Sequence, residues 1–143
     1  MSESTERIVI GGIRRAGLRE LYQEYGIEAV VRVTDRWPRE GYPDGVTIHS
    51  HPMDDGSRNR YEAFVRGAAR VLHLLRETNE TLLVHCTMGA SRSVGVAAAA
   101  LAVHAGGTVD EWVDRLATHD RRPTEQVLTH ARQFVEAVSA KGH

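Results

Sequence analysis

Cysteine is all but absent from this chain, with Cys86 standing alone among 143 residues. An internal disulfide is thereby excluded, and nothing in the sequence calls for an oxidising compartment. Long apolar runs are missing as well. No stretch approaches the length of a membrane span, and the polar start Met1-Ser2-Glu3-Ser4-Thr5-Glu6 does not read as a signal peptide. Excess charge is also lacking: the formal net charge is −1, so there is no global pull toward nucleic acid or an anionic membrane. No dense basic patch is signalled, and no repeat, low-complexity tract or linker divides the chain. With 41% hydrophobic and 26% charged residues, the composition predicts one domain over residues 1–143, cytoplasmic, with a core of ordinary size.

The single cysteine sits in the most informative stretch. Leu82-Leu83-Val84-His85 is an apolar run that delivers Cys86 to a small, polar turn, Thr87-Met88-Gly89-Ala90-Ser91. Arg92 and Ser93 follow, where an alanine-rich helical stretch begins. Such a turn can aim successive backbone N–H groups at one point, with the positive end of a helix behind them. A cysteine at the centre of that cradle loses its proton readily, and the thiolate is the nucleophile. Arg92 can grip two oxygens of a tetrahedral oxyanion with its planar fork. Together these residues suit the transfer of a phosphoryl group onto sulfur. Without its neighbours, a lone cysteine would read as a small buried hydrophobe.

The remainder of the chain alternates strand and helix patterns. Strands are predicted at Arg7–Ile10, Ile27–Val33, Val46–Ile48 and Thr81–Val84. Helices are predicted from about Ala16 to Tyr25, from Arg58 to Glu77, and from Ser91 to Ala105. Thr108 and Glu111 form a capping box for a further helix, and Pro123 and Thr124 open a last one. The fold class is therefore α/β, a short, mostly parallel central sheet flanked by helices. Two loops carry chemistry-bearing residues: Thr34 to Gly45, with Asp35, Trp37 and Tyr42, and His49 to Gly56, with His49, His51, Asp54 and Asp55.

His85-Cys86-x5-Arg92-Ser93, with Gly89 and Ser91 inside it, resembles the signature of the cysteine-based protein tyrosine phosphatases. The Gly89-to-Ser93 form is similar to that of the dual-specificity branch. Tyr25-Gly26-Ile27 running into Val30–Val33, His51-Pro52-Met53-Asp54-Asp55 and Arg122-Pro123-Thr124 resemble further segments of that branch, with Thr124 where it carries asparagine. The likeness spans nearly the whole chain, and its small size is similar to that of the compact, atypical members.

The resemblance implies a metal-independent phosphomonoester hydrolase. Cys86 would form a phosphocysteine and Arg92 would bind the equatorial oxygens. Backbone amides from Thr87, Met88, Gly89, Ala90, Ser91 and Arg92 would complete the phosphate cradle. Ser93 would support the sulfur as a leaving group, although its chemistry alone suits helix capping equally well. His85 points the opposite way along its strand and reads as a residue that orders the loop, not as a base. The general acid is Asp55 or Asp54. Asp55 is preferred because it ends the Pro-x-x-Asp segment, with Asp54 supporting it and Asp35 more remote. His49 and His51 lack a convincing third ligand, so no metal or other cofactor is expected. Trp37 and Tyr42 can wall a substrate pocket or simply pack.

Uncharged positions at Thr87, Met88, Ala90 and Ser91 argue against a polyphosphorylated lipid headgroup. A short chain leaves little room for loops that deepen the cleft. The expected partners are phosphotyrosine proteins, with phosphoserine and phosphothreonine proteins within reach, and no nucleic acid or membrane. A phosphate-recognition module on the same fold is the alternative. A rhodanese-type sulfurtransferase fits the Ser91-Arg92-Ser93 ending less well.

Overall fold

A computed structural model describes residues 7–117 and 121–141; the polar start at residues 1–6 therefore lies outside the described residues. Four strands form one sheet: β1 (Ile8–Gly11), β2 (Ile27–Arg32), β3 (Thr47–Ser50) and β4 (Thr81–His85). Their order is β1-β4-β2-β3, and every pairing is parallel. The expected mostly parallel sheet is thus parallel throughout, among the described residues. Parallel strands need crossovers, and five helices supply or follow them: α1 (Arg19–Tyr25), α2 (Tyr61–Glu77), α3 (Arg92–Ala105), α4 (Val109–Leu116) and α5 (Glu125–Lys141).

Side-chain alternation divides the core. Val9, Val30 and Leu83 pack with Leu21 and Tyr22 of α1 on one face. Ala29, Val31, Leu82 and Val84 pack with α2, α3, α4 and α5 on the other. Buried on both faces, β4 needs an apolar residue at nearly every position, which is why it reads as a continuous apolar run. The α3 helix is buried on most of its surface, as its alanine content predicts. Gly95 lets α5 close in, since a Cβ there would collide with the Val127 side chain.

Most strand bounds move by one residue, and three boundaries move further or change character. Arg15–Gly17 is a separate 3-10 turn, so α1 begins at Arg19, and Leu18 and Tyr25 are exposed instead of joining Leu21 and Tyr22 in the core. Gly56–Arg58 is likewise its own 3-10 turn ahead of α2. β3 runs one residue later at its start and two later at its end than the sequence predicts. The capping box forms as expected, with the Glu111 amide donating to Thr108 Oγ1 at 3.1 Å and the Thr108 amide to Glu111 Oε1 at 2.8 Å.

Candidate active site

The carboxyl ends of all four strands lie along one edge of the sheet, where open α/β folds place their ligands. Central β4 delivers Cys86 there, and its neighbours clamp the loop that follows. The Cys86 amide donates to Gly11 O (3.3 Å), the Ile13 amide to Thr87 O (2.9 Å) and the Val33 amide to His85 O (2.9 Å). Thr34 and Thr87 share a hydroxyl hydrogen bond of 2.9 Å.

Gly89 is the loop's pivot. Its φ of +72° belongs to the left-handed region, and a Cβ there would lie 2.7 Å from Gly12 N and 2.8 Å from Gly11 C. The reward for that close turn is an amide aimed inward. Gly89 N–H donates to Cys86 Sγ at 3.2 Å, and Ser93 Oγ lies 3.3 Å from the same sulfur. Burial pushes the thiol pKa up, yet hydrogen bonds from the Ser93 hydroxyl and from the Ser93 and Gly89 amides, with the Arg92 charge, bring it below its ordinary value. Ser93 makes no helix-capping contact: the side chain faces the sulfur.

Arg92 opens α3 and donates through Nη1 to Met53 O at 3.1 Å. Among the described residues its buried Nε has no partner, so a donor remains for an anion. Cys86, Ser91, Arg92, Asp55 and Thr124 line one recess of about 240 Å³. Ser91 ties it together. Its hydroxyl donates to Asp55 Oδ1 at 2.7 Å and accepts from the Thr124 amide at 3.0 Å, while Thr124 Oγ1 lies 3.5 Å from the same carboxylate oxygen. Arg121 and Arg122 border the recess, with Arg122 paired to Asp114 at 2.8 Å.

The two aspartates part company here. Asp55 shares the recess with Cys86, whereas Asp54 lines a different one with Asp35, and its backbone carbonyl accepts from Asn59 Nδ2 at 2.7 Å. Asn59 is in turn held by His130 Nδ1 at 2.7 Å. His51 accepts from Arg70 Nε at 3.1 Å, and burial together with the Arg70 charge lowers the pKa of both His49 and His51.

His85 is fully buried, with Nδ1 3.1 Å from Cys86 O and Nε2 2.7 Å from the Tyr42 hydroxyl. Burial lowers the His85 pKa and pushes that of Tyr42 up to about 12. A carbonyl only accepts, so in the neutral ring Nδ1 carries the proton, Nε2 accepts, and Tyr42 donates. Tyr42 therefore orders the residue behind the cysteine and does not wall the recess. Trp37 packs edge-on against Tyr42 with the Arg32 guanidinium 4.2 Å over its ring. Sequence reasoning missed Tyr42 as the partner of His85, Asn59 and Thr34 as loop ties, and Arg121 at the recess. None has a periodicity or spacing that marks it, because each acts across the fold.

The family model described as "Dual specificity phosphatase, catalytic domain" matches residues 9–140. In structure the chain is similar to human DUSP28, with a TM-score of 0.78 and 22% identity over 96% of this chain and 97% of that one. A mouse putative dual specificity phosphatase, solved in complex with zinc tungstate, gives a TM-score of 0.78 and 23% identity, covering 97% and 88% of the two chains. DUSP15 gives 0.80 and 16%, covering 95% and 87%. No curated protein matches the sequence significantly.

Proposed function

Because the chain belongs to the dual specificity phosphatase catalytic-domain family, and so is a phosphatase of the cysteine-based tyrosine phosphatase superfamily, we propose that it works through a phosphocysteine on Cys86. The Cys86 thiolate attacks phosphorus. The S–P bond forms as the P–O bond to the leaving group breaks, and the departing oxygen takes a proton from the Asp55 carboxyl. Water then attacks the phosphocysteine and passes its proton to the Asp55 carboxylate. The S–P bond breaks, with the electron pair returning to a sulfur that the Ser93 hydroxyl stabilises. Arg92 and the amides of residues 87–92 hold the non-bridging oxygens through both steps.

One observation carries this reading: a sulfur already hydrogen-bonded by Ser93 and Gly89 shares a recess with Arg92 and Asp55. Thr87, Met88, Ala90 and Ser91 give the cradle no charge beyond that of Arg92, which suits a single phosphate on a protein better than a polyphosphorylated lipid headgroup. We read the recess as open to phosphotyrosine, with the shorter phosphoserine and phosphothreonine side chains within reach. We read residues 1–143 as one catalytic domain acting in the cytoplasm without a cofactor.

Hydrolysis of p-nitrophenyl phosphate and of a phosphotyrosine peptide, with chelator present, tests the assignment. Cys86→Ser should abolish turnover of both. Asp55→Asn should slow the peptide by about 10²–10⁴-fold, the usual contribution of a positioned acid, and Asp54→Asn should stay near wild type. A larger loss with Asp54→Asn would transfer the acid role to Asp54. A folded wild type that binds vanadate but turns nothing over would make the chain a phosphate-recognition module.

A further inference from the structure

A concavity larger than the one that holds Cys86 lies beside it. It is a groove of about 810 Å³ between the loop after β1 and the loop after β2. Arg14 and Arg15 reach it from the first loop, Arg36 and Arg39 from the second, and all four are exposed. Glu40 is the one carboxylate in its lining and lies against Gly17. Among the described residues, none of these arginines is ion-paired. The two pairs of arginines stand some twenty residues apart in sequence, which is why no basic patch is apparent there; the fold corrects that expectation.

The same groove carries exposed apolar surface. Leu18 and Trp37 are each about half exposed and line it together with Ile13. It also abuts the catalytic loop. Ile13 and Thr34 both hydrogen-bond Thr87, and Gly12 packs against the backbone of Thr87 and Met88, whose Met88 side chain is 63% exposed. The Thr87–Met88 side of the Cys86 recess is thus tied to the wall of this groove. The Asp55 contact engages the other end of the loop, at Ser91.

We propose that this groove docks an acidic segment of the phosphoprotein substrate that flanks the phosphorylated residue, an inference that rests on the phosphatase reading above. Four guanidinium groups outside any ion pair among the described residues, of which that of Arg15 also donates to Ile10 O at 3.0 Å, stand around apolar side chains and complement a peptide in which acidic and apolar side chains interleave. A concave groove suits a chain better than the face of a bilayer. With a formal net charge of −1 on the whole protein there is no global positive field to hold a long polyanion, so a local group of four arginines suits a short acidic segment better.

The test compares phosphotyrosine peptides that differ only in their flanks: glutamates before the phosphotyrosine, glutamates after it, serines, or lysines. Wild type should favour one of the glutamate peptides over the serine peptide by about tenfold or more in kcat/KM, chiefly through KM, and the preference should fade as salt rises. The variant Arg14→Glu/Arg36→Glu/Arg39→Glu should lose that preference and favour lysine flanks, a reversal that no misfolded protein would show. The milder Arg36→Gln/Arg39→Gln should lie between the two.

Turnover of p-nitrophenyl phosphate, which has no flanks, should be the same in all three proteins. It reports on the catalytic reading alone, so a wild type inactive on it would remove that reading independently of the groove. Equal handling of all flanks by active wild type overturns the proposal, as does an undiminished preference in the triple variant. Flank-blind wild type that binds phosphatidylcholine–phosphatidylserine vesicles, with binding lost in the triple variant, would make the groove a membrane contact instead.

Discussion

Gly89 concentrates at one position what the sulfur requires. Its amide can reach Cys86 Sγ only if the backbone turns through φ +72°, and only if nothing stands between it and the Gly11–Gly12 backbone. Gly89→Ala adds a methyl group to a left-handed position and drives it into backbone atoms that cannot rotate away. We expect a loss of about 1–3 kcal/mol in stability from strain of this kind, measured by urea unfolding. The sulfur also loses its amide donor, so the thiol pKa should rise, read as slower iodoacetamide alkylation at neutral pH. Unchanged alkylation in a folded variant would mean that the amide does not support the thiolate. Around this glycine the geometry was legible in the sequence, because Cys86, Gly89, Arg92 and Ser93 lie within eight consecutive residues. His85 was legible through strand alternation. Tyr42 was not: its hydroxyl reaches His85 from a loop 43 positions away, where proline and glycine obscure any pattern.

At the scale of elements, the segment carrying Asp54 and Asp55 has no regular structure of its own and takes its position from its neighbours. Ser91 and Thr124 hold the Asp55 carboxylate, while buried Asn59 ties the Asp54 carbonyl to His130 on α5. Gln126 Nε2 lies 3.3 Å from the other ring nitrogen of His130, whose pKa burial lowers, so the neutral ring donates to Asn59 and accepts from Gln126. Asn59→Ala leaves buried polar groups unmatched and should cost about 1–3 kcal/mol. Its kinetic signature is more specific. A loosened acid segment should slow phosphotyrosine hydrolysis, whose leaving oxygen needs a proton, more than p-nitrophenyl phosphate hydrolysis, whose leaving group departs readily without one. Equal slowing of both would place the effect in the phosphate cradle. The elements were read well where one face is apolar over several turns, as in α2 and α5, or where small apolar residues cover most faces, as in α3. They were read less well at α1, where seven residues give too few turns to separate buried Leu21 and Tyr22 from exposed Leu18.

For the whole molecule, the thiolate is coupled to folding. Loop bonds to the ends of β1 and β2, together with the start of α3, create the environment that lowers the Cys86 pKa, and unfolding dissolves all of it at once. The folded protein therefore releases the thiol proton at lower pH than the unfolded chain, whose thiol has the ordinary value of 9.0. The resulting stabilisation is fully present above that value and is lost as pH falls through the folded pKa. Comparing urea unfolding of wild type and Cys86→Ser isolates this contribution, because their other titrating groups are the same. The stability difference should move in favour of wild type as pH rises through that window, with a slope of at most about 1.4 kcal/mol per pH unit, and level off at either end. A flat difference would mean that the fold does not favour the thiolate, and Cys86 would then need a base to take its proton before it could attack phosphorus. The neutral His85 cannot fill that role, because both of its ring nitrogens are already engaged by Cys86 O and Tyr42. The proposed mechanism thus depends on a property of the entire fold that can be measured without any substrate.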